Sequence, residues 1–316
     1  MKWTLRPREI QEQVFHKEFE ASQVPELTVL SYGAGQDSTL ILYLLGTDPE
    51  FRQLFAPNKL IVVFSDTGAE HIETYSRTLP QAKGFCEKQR IPFFHLEAGS
   101  PYHSKAWPGL LEYYHRTETC GSRSFPKSCT SQLKIRPIYR FLECYLESNY
   151  GIPGGRKQGF YRYANKYGKL RMLIGLSAEE TGRCRVSSQP LWMRRTVEMR
   201  YPLQETSITR HKAQEITLDL GFEIPCPSSC RCCPFLTHRD LLWKYRTRHP
   251  EYEELLFLEN RKRLKWKHLG PRNYGVFGAQ TLPEALKVAE MNFGHLTNQE
   301  LTMARMKDGH SVKSQY

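Results

Sequence analysis

Two spacings of apolar residues alternate along the chain. Short, nearly uninterrupted apolar runs at Leu27-Thr-Val-Leu30, Lys59-Leu-Ile-Val-Val-Phe64, Pro92-Phe-Phe-His-Leu96 and Leu170-Arg-Met-Leu-Ile-Gly-Leu176 predict buried β-strands. Between them, longer stretches with helical spacing predict helices over Thr39–Leu45, Glu73–Gln89 and Ile135–Ser148. Strand, turn and helix repeated in this way predict a parallel sheet with helices on its faces, the α/β class. Beyond residue 206 the strand spacing stops. Helices are expected over Thr209–Leu220, closed by Gly221, then over His238–Arg248 and Glu251–Lys267, the last opened by Pro250. The expected organisation is a helical segment over 1–26, an α/β domain over 27–205, and a mostly helical, cysteine-containing region over 206–316.

Residues 151–171 stand apart. They hold six basic and no acidic side chains, several glycines and four aromatics, and predict an exposed hairpin or loop.

Composition narrows the class. The 316 residues are 40% apolar, enough for a core, so global disorder is excluded. The longest apolar run, Leu40–Leu45, is far shorter than the ~20 residues that span a bilayer, and no basic-then-apolar leader opens the chain. A cytoplasmic protein without membrane contact is expected. There are 45 Lys and Arg against 33 Asp and Glu, a formal charge of +12, which favours a polyanionic partner or a phosphorylated substrate. Four of the nine cysteines fall within Cys226–Cys233. Adjacent Cys232 and Cys233 make poor disulfide partners, so the cluster points to a reducing compartment and a metal site.

The clearest chemistry lies in the first strand–helix turn, Ser31-Tyr-Gly-Ala-Gly-Gln-Asp-Ser38. In an α/β sheet such turns present backbone amides and a helix N-terminus to anions. Gly33 and Gly35 allow close approach to phosphate, and Ser38 and Thr39 add hydroxyls. The turn lacks a Gly-Lys-Ser/Thr ending, and Ser38 stands where a dinucleotide fingerprint would need its third glycine.

This turn resembles the PP-loop of the ATP pyrophosphatase superfamily, Ser-Gly-Gly-x-Asp-Ser, with Gly33 in place of the leading serine and Ala34 in place of one glycine. Three further segments resemble the branch related to phosphoadenylylsulfate (PAPS) reductases: Ser65-Asp66-Thr67-Gly68 after the second strand; Cys129-Thr-Ser-Gln-Leu-Lys134-Ile-Arg136-Pro137; and Gly175-Leu-Ser-Ala-Glu-Glu180-Thr-Gly-Arg183. The resemblance spans about residues 27–260. It implies a Rossmann-like parallel sheet of the adenine-nucleotide α-hydrolase type. It also implies an enzyme that binds ATP and Mg²⁺, lets a substrate oxygen attack the α-phosphorus, and releases pyrophosphate. On this resemblance Gly33, Gly35, Ser38 and Thr39 hold pyrophosphate, and Ser31 and Tyr32 also bind the nucleotide. Asp37 helps bind Mg²⁺, and Lys134, Arg136 and Arg183 meet phosphate charge. Ser65, Asp66, Thr67, Gly68, Gly175 and Glu180 border the nucleotide. For Lys134 and Arg136 a solvated helix face is the alternative.

Cys230-Arg-Cys-Cys233 contains a Cys-x-x-Cys step able to grip one metal or one corner of a cluster. The resemblance adds Cys129. The fourth ligand is assigned to Cys226, with Cys120 and His211 as alternatives, and the metal is a 4Fe-4S cluster or Zn²⁺. Cys86, Cys144 and Cys184 read as buried apolar cysteines rather than ligands. No cysteine follows Cys233, so the thiolate that attacks a sulfonucleotide in the reductases has no counterpart, and a different reaction is expected. The closer parallel is with the PP-loop component of DNA phosphorothioation and the tRNA thiolases: sulfur transfer to tRNA or DNA, with a sulfur-donor protein as partner. A sulfonucleotide reductase and a non-catalytic nucleotide-sensing subunit are the alternatives. Two basic segments favour a nucleic acid. In one, Arg156, Lys157, Arg162, Lys166, Lys169 and Arg171 alternate with Phe160, Tyr161, Tyr163 and Tyr167; the other is Arg261–Lys267.

Overall fold

A computed structural model describes residues 24–125, 127–184, 189–270 and 274–309. The helix expected over 1–26 falls almost wholly outside them.

The predicted strands form one sheet. β1 (Leu27–Tyr32) is central, and the order is β3-β2-β1-β4-β5, with β2 at Lys59–Ser65, β3 at Phe93–Leu96, β4 at Leu170–Ile174 and β5 at Val197–Arg200. β1 pairs in parallel with both β2 and β4, setting Val29 opposite Ile61 and Met172; β5 extends the sheet in parallel with β4. Leu27, Val29, Leu30, Ile61, Val62 and Leu173 are fully buried, as the apolar runs required. The α/β parallel-sheet expectation holds.

The chain divides into two compact units that interleave in sequence, unlike the contiguous segments 27–205 and 206–316. Unit 1 comprises Met1–Phe64, Ser76–His95 and Ile138–Pro225; unit 2 comprises Ser65–Tyr75, Leu96–Pro137 and Cys226–Tyr316.

In unit 1, α1 (Gln36–Thr47) follows β1 and buries Leu40–Leu45, and α2 (Pro49–Phe55) is capped by the Asp48 carboxylate. α3 (Leu79–Lys88) sets Phe85 edge-on against Tyr43, and Tyr43 also stacks on Phe222. In unit 2 lies α4 (Leu110–Thr117). α5 (Arg136–Tyr150) continues a π-helical turn at Ser131–Ile135.

Residues 151–171 depart from the expected loop. Gln158–Tyr167 is a helix, α6, with Phe160 and Tyr163 fully buried, and Leu170 opens β4. Arg171 is 3% exposed and ion-paired to Glu198 of β5. Phe160, Tyr163 and Tyr167 recur at helical rather than alternating spacing, so Phe160 and Tyr163, which looked like base-stacking platforms, pack inward, while Tyr161 and Tyr167 are half-buried. Arg156, Arg162, Lys166 and Lys169 remain exposed.

α7 (Leu191–Thr196), α8 (Pro202–Glu205) and α9 (Arg210–Asp219) complete unit 1, with Gly221 at φ +80° stopping α9. Unit 2 is mostly helical beyond Cys226: α10 (His238–Thr247), α11 (His249–Lys265), α12 (Leu282–Phe293) and α13 (Asn298–Asp308) bury Leu241, Leu255, Leu258, Leu282 and Leu301 together. Three of these helices begin with a reciprocal cap, Thr237 with Asp240, Thr281 with Glu284 and Thr297 with Glu300. Among the described residues no helix is long and apolar enough to cross a membrane.

Candidate functional site

In unit 1, β1 has one parallel neighbour that follows it after one crossover (β2) and one on its other side that comes much later (β4). This is the switch point at which α/β sheets open a crevice beyond their strand ends. The turn after β1 and the turn after β4 meet there. Gly175 lies so close to the first turn that a Cβ on it would stand 2.6 Å from the Ser38 amide nitrogen, so only glycine fits. The β1–α1 turn is closed on itself: Ser38 Oγ accepts from the Gly33 and Gly35 amides at 3.2 and 3.3 Å and donates to Gly35 O. Ala34 sits at φ +53°, the left-handed region that a glycine enters without strain. Ser31 lies within β1, between Val63 and Ile174. The Tyr32 and Thr39 hydroxyls bond to each other at 3.0 Å in the interior, so Thr39 turns inward rather than into the turn.

Asp37 opens α1 and is buried. Its Oδ2 accepts from Arg210 at 3.1 Å, and the same guanidinium meets Glu180 Oε2 at 3.1 Å; Glu180 Oε1 takes Arg183 at 2.6 Å. Burial pushes the Asp37 pKa up, against the pull of Arg210. Its Oδ1 is buried and has no hydrogen-bond partner among the described residues. Thus Gly33, Gly35, Asp37, Ser38, Gly175, Glu180 and Arg183 come together, joined by Arg210, which the motifs did not point to. The available signal was electrostatic: an arginine in the first turn of a helix opposes its macrodipole and needs an anionic partner elsewhere.

Unit 2 gathers the other motif residues around Glu70, whose side chain is fully buried. Thr67 Oγ1 donates to Glu70 at 3.0 Å and lies 3.5 Å from Cys230 Sγ, while Lys134 Nζ pairs with Glu70 at 3.0 Å. Lys134 therefore already answers a carboxylate. Asp66 Oδ1 accepts from the Gly68 amide and from Tyr75 Oη, and Ser65 Oγ donates to Leu133 O. Gly68 has φ +69° and packs on Ala98. Arg136 is exposed and bonds to Gln132, the solvated alternative.

The turn after β2 is bridged to the cysteine segment, Glu70 with Cys230 and Arg231 N–H to Ala69 O at 2.7 Å. Cys129 and Cys233 both raise the Cys230 thiol electrostatically, after burial and the Glu70 charge, so these three sulfurs share one neighbourhood. Cys120 and Cys232 join Cys129 and Cys230 around the buried Tyr114 hydroxyl. Burial lifts Cys120 to about 12. His211 is exposed on α9 of unit 1 and paired to Glu215. The donors are soft and suit iron or zinc, but among the described residues no three His, Cys, Asp or Glu side chains converge to hold an ion. As arranged, the set does not fit a metal.

Beside this segment lies a buried charged network. His71 Nδ1 faces Glu251, and its Nε2 faces Ser229 Oγ and Arg305 Nη2, an arrangement satisfied by the neutral ring with the proton on Nδ1. Lys244, fully buried, donates to Glu251, and Arg305 pairs with Asp240 and covers the Trp243 ring.

No protein-family model matches the chain, and no curated protein sequence matches it. Among solved structures it is similar to the U34-tRNA thiolase NcsA from Methanococcus maripaludis with its 4Fe-4S cluster, at 15% identity over 92% of this chain and 80% of that one, with a TM-score of 0.38. A functional reading therefore stands on the chain's own residues.

Proposed function

We propose that this chain is an ATP-dependent enzyme of the PP-loop type, which adenylates a nucleic-acid substrate with release of pyrophosphate so that sulfur can replace the activated oxygen. One observation carries the reading: the Gly33–Ser38 turn lies at the sheet's switch point with Gly175 pressed against it and a buried, half-satisfied Asp37 beside it. In this reading the Gly33 and Gly35 amides exchange Ser38 Oγ for pyrophosphate oxygens. Arg183 and Arg210 carry compensating charge, and Asp37 would hold Mg²⁺, which neutralises the leaving group. The exposed Arg156, Arg162, Lys166 and Lys169 of unit 1 supply a face for tRNA or DNA phosphates. Cys129, Cys230 and Cys233, with Cys226 or Cys120, would be metal ligands only by drawing together from the described arrangement, which does not itself hold an ion. A sulfur-donor protein would be the partner. No step is assigned to the metal.

The test is release of labelled pyrophosphate from ATP, with and without tRNA or DNA. Acceptor-dependent release is expected, and Gly175→Ala should reduce it at least 10-fold while the variant still gives a folded circular dichroism spectrum. ATP binding without release under any acceptor would replace the enzyme by a nucleotide-sensing subunit.

A further inference from the structure

Unit 2 contains a cavity of about 290 Å³ beside Cys129. Its walls are aromatic. Trp107 and Tyr113 stack at 3.6 Å and 11°, Trp266 lies within 25° of parallel to Tyr274, and Phe235 adds a further ring. The half-buried Cys129 borders the space.

Lys127 and Lys262 are the charged residues of the lining. Lys262 is only 5% exposed, and its Nζ donates to Cys120 O at 3.1 Å beneath the Phe125 ring. An ammonium has three protons; among the described residues one is placed on that carbonyl, which leaves donors for an acceptor inside the cavity. Lys262 and Trp266 both belong to the basic stretch Arg261–Lys267, in which Arg263, Lys265 and Lys267 are exposed.

The size favours a small ligand. At the lower end of the ~300–1,000 Å³ of small-molecule sites, the space suits one ring system and not a nucleotide with its triphosphate. Stacked aromatic walls favour a flat π-face, and a buried ammonium favours a ring edge carrying a carbonyl or an unprotonated nitrogen. We propose that the cavity receives a single unstacked nucleobase of the acceptor, while the flanking phosphates run along Arg263, Lys265 and Lys267. The inference rests on the nucleic-acid reading above and narrows it: what is recognised beside Cys129 is a base rather than a bare phosphodiester.

The experiment compares the full chain binding a short single-stranded oligouridylate and the same oligomer with one internal base removed, read by anisotropy and by quenching of tryptophan fluorescence. The intact oligomer should bind 10-fold or more tightly, within the range that base stacking on an aromatic supplies. Ser128→Trp, a rim substitution that fills the cavity, and Trp266→Ala should each erase that difference and leave affinity for the abasic oligomer unchanged. Equal binding of the two oligomers by the wild-type protein would overturn the base site while leaving the nucleic-acid reading intact. No binding of either oligomer, at low salt and with tRNA and DNA also failing, would remove the nucleic-acid reading and the base site with it.

Discussion

Glu251 keeps its negative charge in a place that should discourage it. Burial pushes its pKa up, but the His71 hydrogen bond and the Lys244 charge more than reverse this and hold it at about 2. The folded pKa therefore lies below the ordinary 4.5 of an unfolded glutamate. With that sign, ionised Glu251 contributes stability that is complete above about pH 4.5 and is lost as the pH falls toward 2. The shift corresponds to about 3 kcal/mol at most. Denaturant unfolding of wild type and Glu251→Gln across this range should show the wild type more stable at pH 6 by a few kcal/mol, with the gap closing in acid. A gap that does not change with pH would mean that the carboxylate's charge contributes nothing. Sequence offered no route to this network, because His71 and Arg305 lie far along the chain from Lys244 and Glu251 and each alone reads as a surface residue.

The α6 helix separates two properties that its composition had merged. Phe160 and Tyr163 are fully buried, while Arg162 and Lys166 face solvent one turn apart. Phe160→Ala should cost about 3–5 kcal/mol of stability with little change in the salt dependence of nucleic-acid binding. Arg162→Gln with Lys166→Gln should do the reverse, leaving stability within about 0.5 kcal/mol and lowering the slope of log affinity against log salt by about one per charge that meets a phosphate. An unchanged slope would take this face out of the interface. Where an element was legible, a local signal ruled it: β1, β2 and β4 are buried on both faces and read as apolar runs, α9 and α10 follow their Thr209 and Thr237 caps, and Pro250 opens α11. β5 escaped notice because four residues, with Glu198 and Arg200 among them, show no apolar run; its partner Arg171 is buried by an ion pair rather than by apolar character. α12 and α13 carried Thr-x-x-Glu caps that were legible but had no chemistry to draw attention to them.

At the scale of the molecule, the four motif segments sort by unit. The Gly33–Ser38 and Gly175–Arg183 turns belong to unit 1; the Ser65–Gly68 turn, Cys129–Lys134 and the cysteines from Cys226 onward belong to unit 2. Motif order along the chain revealed the set but not this partition, because unit 2 is assembled from three separated stretches. A metal held by Cys129 and Cys230–Cys233 would cross-link two of those stretches, and metal affinity of this kind is also folding free energy. It would leave the Gly33–Ser38 turn untouched. If these cysteines draw together around a metal, protein purified without oxygen should be brown, or colourless with stoichiometric zinc, and stripping the metal with a chelator should act locally. Hydrogen exchange should rise 10-fold or more across Cys226–Leu236 and Ser128–Leu133 and stay constant in β1 and α1. Cys230→Ser with Cys233→Ser should reproduce the chelated pattern without chelator. Stripping that changes exchange nowhere, or a protein that holds neither iron nor zinc, would return these cysteines to the role of buried apolar side chains and leave the nucleotide turn to stand alone.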